Sequence, residues 1–110
     1  MTEEAIPILR VADAIAAVSW YERLGYTKEW EHRFEADFPV FVSLARHGTA
    51  RLFVSEHEGD GSTPSVVYLR VDDVDAVAAE FGTAIVEQPW ARETHLTDPD
   101  GNQLRVAEAG

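Results

Sequence analysis

Leu69-Arg70-Val71-Asp72-Asp73 repeats, in the second half of the chain, the pattern of Leu9-Arg10-Val11-Ala12-Asp13 in the first. Each is a short apolar run closed by an aspartate. Apolar residues at helical spacing follow each one: Ala14, Ala17, Val18, Tyr21 and Leu24 after the first, Val74, Val77, Ala78 and Phe81 after the second. Asp13, and either Asp72 or Asp73, provide the side-chain oxygen that accepts hydrogen bonds from a helix's first free N–H groups. Gly25 and Gly82 then provide a left-handed stop. A strand feeding a capped helix twice over predicts one module used twice, because a single module cannot cover both faces of its sheet.

The rest of each half reads as three more strands. In the first half these are 26–34, 38–45 and 51–55, with His47-Gly48-Thr49 as a turn. In the second half, 66–71 precedes the helix and 84–87, 92–97 and 103–107 follow it. Asp98-Pro99-Asp100-Gly101 carries the residues of a type I turn between the last two. The first strand, 6–11, contains Pro7, which cannot donate to a ladder, so it is expected at a sheet edge or at a crossing between subunits. Residues 57–64 are acidic, glycine-rich and unpatterned, and read as a linker between module one (about 5–56) and module two (about 65–108). The expected fold is α+β, two tandem βαβββ modules in a single domain.

Composition narrows the function. The 110 residues carry 20 acids against 9 Lys and Arg, a net charge of −11, which argues against nucleic acid and suits attraction of a cationic small molecule. No cysteine is present, which excludes disulfides, thiolate metal sites and cysteine nucleophiles. No apolar stretch is long enough for a membrane span and the N-terminal residues lack a signal-peptide pattern, so a cytoplasmic protein is expected. His32, His47, His57 and His95 are scattered without ligand-pair spacing, and no Gly-x-Ser-x-Gly turn occurs.

Alternation along the strands separates two faces. Pro7, Leu9, Val11, Val40, Val42, Leu44, Leu52, Val54, Val67, Leu69, Leu104 and Val106 form a uniformly apolar face expected under the helices. The opposite face mixes Phe41, Phe53 and Tyr68 with Ser43, Ser55, Arg10, Arg51, Arg70, Gln103 and Arg105. Aromatics interspersed with a few directed polar groups suit a ligand site.

The tandem βαβββ pattern, the Val11-x-Asp13 stretch leading to Leu24-Gly25-Tyr26, and Asp98-Pro99-Asp100-Gly101-Asn102 resemble the glyoxalase, or vicinal oxygen chelate, superfamily. Within it, Glu87-Gln88-Pro89-Trp90-Ala91-Arg92-Glu93 and Ala5-Ile6-Pro7-Ile8-Leu9 are most similar to bleomycin resistance proteins, which usually have glycine after the tryptophan. The resemblance implies sheets curled around a cavity, a homodimer with Pro7 near an exchanged arm, and a bleomycin-type drug held in interface clefts. It also implies where a metal would sit in metal-dependent members. Those four positions hold Ile6, Phe53, Val66 and Arg105, three without a lone pair and one cation, so no metal cofactor is expected.

Trp90 is the first residue carried over as ligand-binding, followed by Trp30, Phe34 and Phe38. Phe41, Phe53, Ser55, Tyr68, Arg70 and Arg105 join them from the mixed face. The leading expectation is sequestration of a small molecule, without catalysis. The alternatives are a superfamily enzyme of unrecognised substrate and a module binding an anionic metabolite. The last follows if acids do not neutralise the arginines, since an unpaired guanidinium repels a cationic ligand.

Overall fold

The repeat reappears as two ladders of identical connectivity. The computed structural model describes residues 3–33, 35–61 and 64–108, and the chain divides into two units, Met1–Thr63 and Pro64–Gly110. Unit one holds β1 (Ile8–Arg10), α1 (Ala14–Arg23), β2 (Tyr26–His32), β3 (Phe41–Arg46) and β4 (Thr49–Ser55). Unit two holds β5 (Val66–Val71), α2 (Val74–Phe81), β6 (Val86–Glu87), β7 (Arg92–Thr97) and β8 (Gln103–Glu108). Among the described residues each unit has one four-stranded sheet, in the orders β1-β4-β3-β2 and β5-β8-β7-β6. The first strand of each module pairs in parallel with the last, and the other pairings are antiparallel.

Local chemistry explains the helix ends. Asp13 Oδ1 accepts from the N–H groups of Ile15 and Ala16, and Asp73 Oδ1 from that of Ala76, so Asp73 is the second cap. Gly82 ends α2 in the left-handed region at φ 66°. Gly25, just past α1, has φ 93°. Most of the expected apolar face is core, Pro7 and Val67 being only half-buried: Leu9, Val11, Val42, Leu44, Leu52 and Val54 are buried with Ala14, Ala17 and Tyr21 of α1. In unit two Leu69, Val71, Leu104 and Val106 are buried with Val74, Val77 and Ala78 of α2.

Several strand ends differ from expectation. β1 spans three residues because its pairing with β4 covers only Ile8 to Arg10. It lies at the sheet edge, as Pro7 requires. β2 ends at His32, so Arg33, expected in the strand, lies beyond it, and Phe34 lies outside the described residues. β3 begins at Phe41 and not at Phe38, since the Val40 N–H is taken by Glu56 Oε1 at 3.2 Å. β4 starts earlier, at Thr49, because Arg46 and Thr49 close a two-residue hairpin. His47 and Gly48 both have positive φ, 55° and 73°, the backbone twist such a hairpin favours.

The stretch read as a linker carries structure of its own as far as Gly61. Just before it, Glu56 joins elements distant in sequence: Oε2 accepts from the first N–H of α1, at Ala14, at 2.8 Å. Its carboxylate therefore complements the positive helix end as well as closing the start of β3. The Ser55 hydroxyl donates to Asp60 Oδ2 at 2.7 Å, drawing the chain back along β4. Gly61 then lies against β1 so closely that a Cβ would stand 2.8 Å from the Ile8 carbonyl oxygen, at a φ of +71°.

Gly61→Ala should therefore destabilise the protein by about 1–3 kcal/mol, the usual cost of a non-glycine residue in a strained backbone region. Equilibrium urea unfolding measures this. An unchanged midpoint would show the segment to be a free connector.

Candidate functional site

In unit two, strand register builds the site row by row. Across β5, β8 and β7 the rows are Val66, Gln103 and Thr97; Tyr68, Arg105 and His95; and Arg70, Ala107 and Glu93. All nine residues belong to the mixed face. Glu93 is completely buried, at 0 % exposure, on a face where Tyr68 and Val66 are exposed.

A carboxylate there loses its hydration and must recover it from protein donors. Glu93 has them. Oε2 accepts from the Trp90 indole Nε1 at 2.9 Å and the Tyr68 hydroxyl at 3.2 Å. Oε1 accepts from His95 Nε2 at 3.0 Å and Arg105 Nε at 3.1 Å, and Arg105 Nη2 reaches both oxygens at 2.8 and 3.1 Å. Burial pushes the carboxyl pKa up, but the hydrogen bonds from His95, Arg105 and Trp90, with the Arg105 charge, outweigh it and hold the value at about 2. The Arg105 guanidinium also lies 5.7 Å from the Tyr68 ring centroid and 6.0 Å from that of Trp90, within cation–π range. Trp90 is thereby fixed by its nitrogen while 64 % of the residue stays exposed. A cleft of about 460 Å³ opens on the same face, lined by Gln88, His95, Thr97, Gln103 and Arg105 with Leu96 and Leu104.

Unit one reaches a related arrangement by another route. The β2–β3 register shifts between Lys28 and Trp30, so Glu29 is an extra residue on β2. Strict alternation would send Glu29 and Trp30 to opposite faces; the bulge lets both reach the same one. Trp30 stacks on Phe41 at 6.1 Å and 14°, and Phe53 closes the cluster at 5.6 Å from Trp30 and 5.0 Å from Phe41. Glu29 accepts from Ser43 Oγ at 2.9 Å and from Arg51 Nε and Nη2 at 2.9 and 3.1 Å. The Arg51 hydrogen bond lowers the Glu29 pKa, and the same bond raises that of Arg51, which also pairs with Glu4. A cleft of about 600 Å³ is lined by Trp30, Glu31, His32, Phe41, His57 and Asp60.

The expected site residues therefore fall into two groups. Trp30, Phe41 and Phe53 meet in unit one, and Tyr68, Trp90 and Arg105 meet around Glu93 in unit two. Phe38 is exposed in the turn before β3, its N–H bonded to the Glu35 carbonyl. Phe34 lies outside the described residues. Ser55 is fully buried and its hydroxyl is engaged by Asp60 and the His57 N–H, so it anchors the chain leaving β4. Arg70 is exposed and makes no ion pair among the described residues. Sequence reading missed Glu29 and Glu93. The signal for Glu93 was present in its i, i+2 spacing from His95, which puts an acid on the face that carries the arginines.

Of the four residues at the positions where the resemblance implies a metal, Phe53 is part of the aromatic cluster and Arg105 is bonded to Glu93. Among the described residues one acidic group, Asp73, Asp75 and Glu108, is close enough to share an ion. Its Asp75 and Glu108 carboxylates already pair with the Arg92 guanidinium.

Glu93 imposes a pH dependence of known sign. Its folded pKa of about 2 lies below the ordinary 4.5, so its contribution to stability is complete above pH 4.5 and is lost as pH falls through about 2. Glu93→Gln should flatten the fall in urea midpoint over that window. Parallel wild-type and variant curves would contradict it.

A model of the family described as glyoxalase superfamily protein matches residues 1–110. No curated protein matches by sequence. Among solved structures, a bleomycin-binding protein from Streptomyces verticillus, complexed with copper(II)-bleomycin, is 25% identical over 100% of both chains, with a TM-score of 0.69. An antibiotic-binding protein from a Streptomyces species is 22% identical over 100% of this chain and 98% of its own, at 0.80. A glyoxalase-related enzyme from Clostridium phytofermentans is also 22% identical, over 100% of this chain and 97% of its own, at 0.80. Binders and an enzyme thus share this fold, and the family match over the whole length settles the classification: the chain belongs to the glyoxalase superfamily.

Proposed function

We propose that this protein is a metal-free small-molecule binder that sequesters a bleomycin-type antibiotic in clefts of a homodimer. One observation carries the reading. Each unit presents exposed aromatic surface beside a guanidinium that an internal carboxylate has already neutralised, Arg51 by Glu29 and Arg105 by Glu93. Exposed rings such as Trp90 and Trp30, at 64 % and 47 %, provide stacking area at little entropic cost. With those two arginines paired, neither opposes the attraction of a cationic ligand by the net charge of −11. The bleomycin-bound relative supports the choice of drug. The absence of ligand atoms at Ile6, Phe53 and Val66 supports binding without a resident metal.

Arg70 favours a second reading. It is exposed and without an ion pair among the described residues, as a carboxylate- or phosphate-bearing ligand would require.

Titration with metal-free and copper-loaded bleomycin should quench tryptophan emission saturably. Trp90→Ala should weaken binding by roughly 10- to 100-fold, the loss expected of an aromatic hot spot. No saturable response at micromolar drug would remove the antibiotic reading. Sedimentation should give a dimer, and a stable monomer would rule out interface clefts. Stoichiometric metal in the purified protein would overturn the metal-free assignment.

A further inference from the structure

We propose that the unit-two cleft is a subsite for an uncharged, planar amide, either a primary carboxamide or an amide-containing nitrogen ring. The register places Gln103 beside Thr97 and Arg105 beside His95 on one face, and Gln88 lines the same cleft. The Gln88, Gln103 and Thr97 side chains have no hydrogen bond among the described residues. Arg105 spends Nε and Nη2 on Glu93, which leaves Nη1 as a further donor.

The chemistry of these free groups selects the ligand. Two carboxamides and a hydroxyl both donate and accept, and Arg105 adds a donor. An anion only accepts, so it leaves the glutamine oxygens to water. An ammonium or amidinium only donates, and it must approach Arg105. An amide group does both and matches the set.

Charge leads to the same class. Glu93 is completely buried and doubly bonded to Arg105, so the pair is close to neutral as a unit and gives an anion little advantage over an isosteric neutral group. Shape adds planarity, since the guanidinium is flat and lies against the Tyr68 and Trp90 rings. This inference goes beyond the sequestration reading and rests on unit two alone. A failed bleomycin titration leaves it standing, and its own failure leaves that reading standing.

The test uses three fragments of nearly equal shape: benzamide, benzoate and benzamidinium. Each is titrated into the ¹⁵N-labelled full chain while the Trp90 indole and the Gln88 and Gln103 side-chain amide resonances are followed. Benzamide should shift them saturably at about millimolar strength, normal for a fragment of this size, with the two ions weaker by roughly 10-fold. Gln88→Ala with Gln103→Ala should abolish the preference for benzamide. Glu93→Gln leaves Arg105 without its carboxylate and should reverse the order in favour of benzoate. Equal shifts from all three fragments, a wild-type preference for either ion, or no saturable shift would each overturn the proposal. The glutamine pair tests it without altering the buried carboxylate, should Glu93→Gln fail to fold.

Discussion

A carboxylate removed from water needs donors, and meeting that need at Glu93 organises unit two. Trp90, Tyr68, His95 and Arg105 come from a loop and three strands, and each gives at least one hydrogen bond to the same two oxygens. No one of these side chains has its orientation set by its own strand alone. The indole is held by its nitrogen, the guanidinium is pinned through Nε and Nη2, and the tyrosine is tied by its hydroxyl. Their remaining surfaces form a face of mixed polarity. Breaking any one donor leaves a buried acceptor short of partners, so the arrangement holds or loosens as a unit.

The two modules share strand order and differ in what they place on the equivalent face. Unit one puts three aromatic rings together and holds its arginine with a carboxylate from a bulged edge strand. Unit two has a mixed lattice whose carboxylate comes from an inner strand. In each, the arginine sits on the module's last strand, which is central in its sheet. A doubled scaffold has thus been decorated twice by different means, as expected where fold and function are separable. The same fold accommodates an enzyme and binders for the same reason.

Much of the architecture was legible in the chain. The repeated strand-to-aspartate signature, the glycine stops and strand alternation led to both modules, both helices and the buried face. Candidate site residues on regular strands, such as Phe41, Phe53, Tyr68 and Arg105, were legible through the same alternation. Glu29 was not, because a bulge breaks the parity on which the inference depends. Glu93 was not, because an acid in an alternating strand ordinarily reads as solvated. Only the convergence of donors from β5, β8 and the loop before β7 makes it a buried anchor. Glu56 escaped for a similar reason, since its two N–H partners lie at Ala14 and Val40, far from it in sequence.

Glu87 to Glu93 shows the division most clearly. By itself the sequence determined that a tryptophan follows a Gln-Pro pair ahead of a polar strand, because turn chemistry and period-two alternation are local properties. It also determined the doubled module and the apolar layer, which depend on spacing alone. Which charges cancel was decided by the tertiary structure. Arg105 could have been a free cation calling for an anionic ligand, and Glu93 could have been a surface acid. Bringing β7 and β8 together at the observed register made them one hydrogen-bonded pair, with the carboxylate buried and the guanidinium partly exposed, because a desolvated carboxylate stays ionised only where such donors replace its lost water.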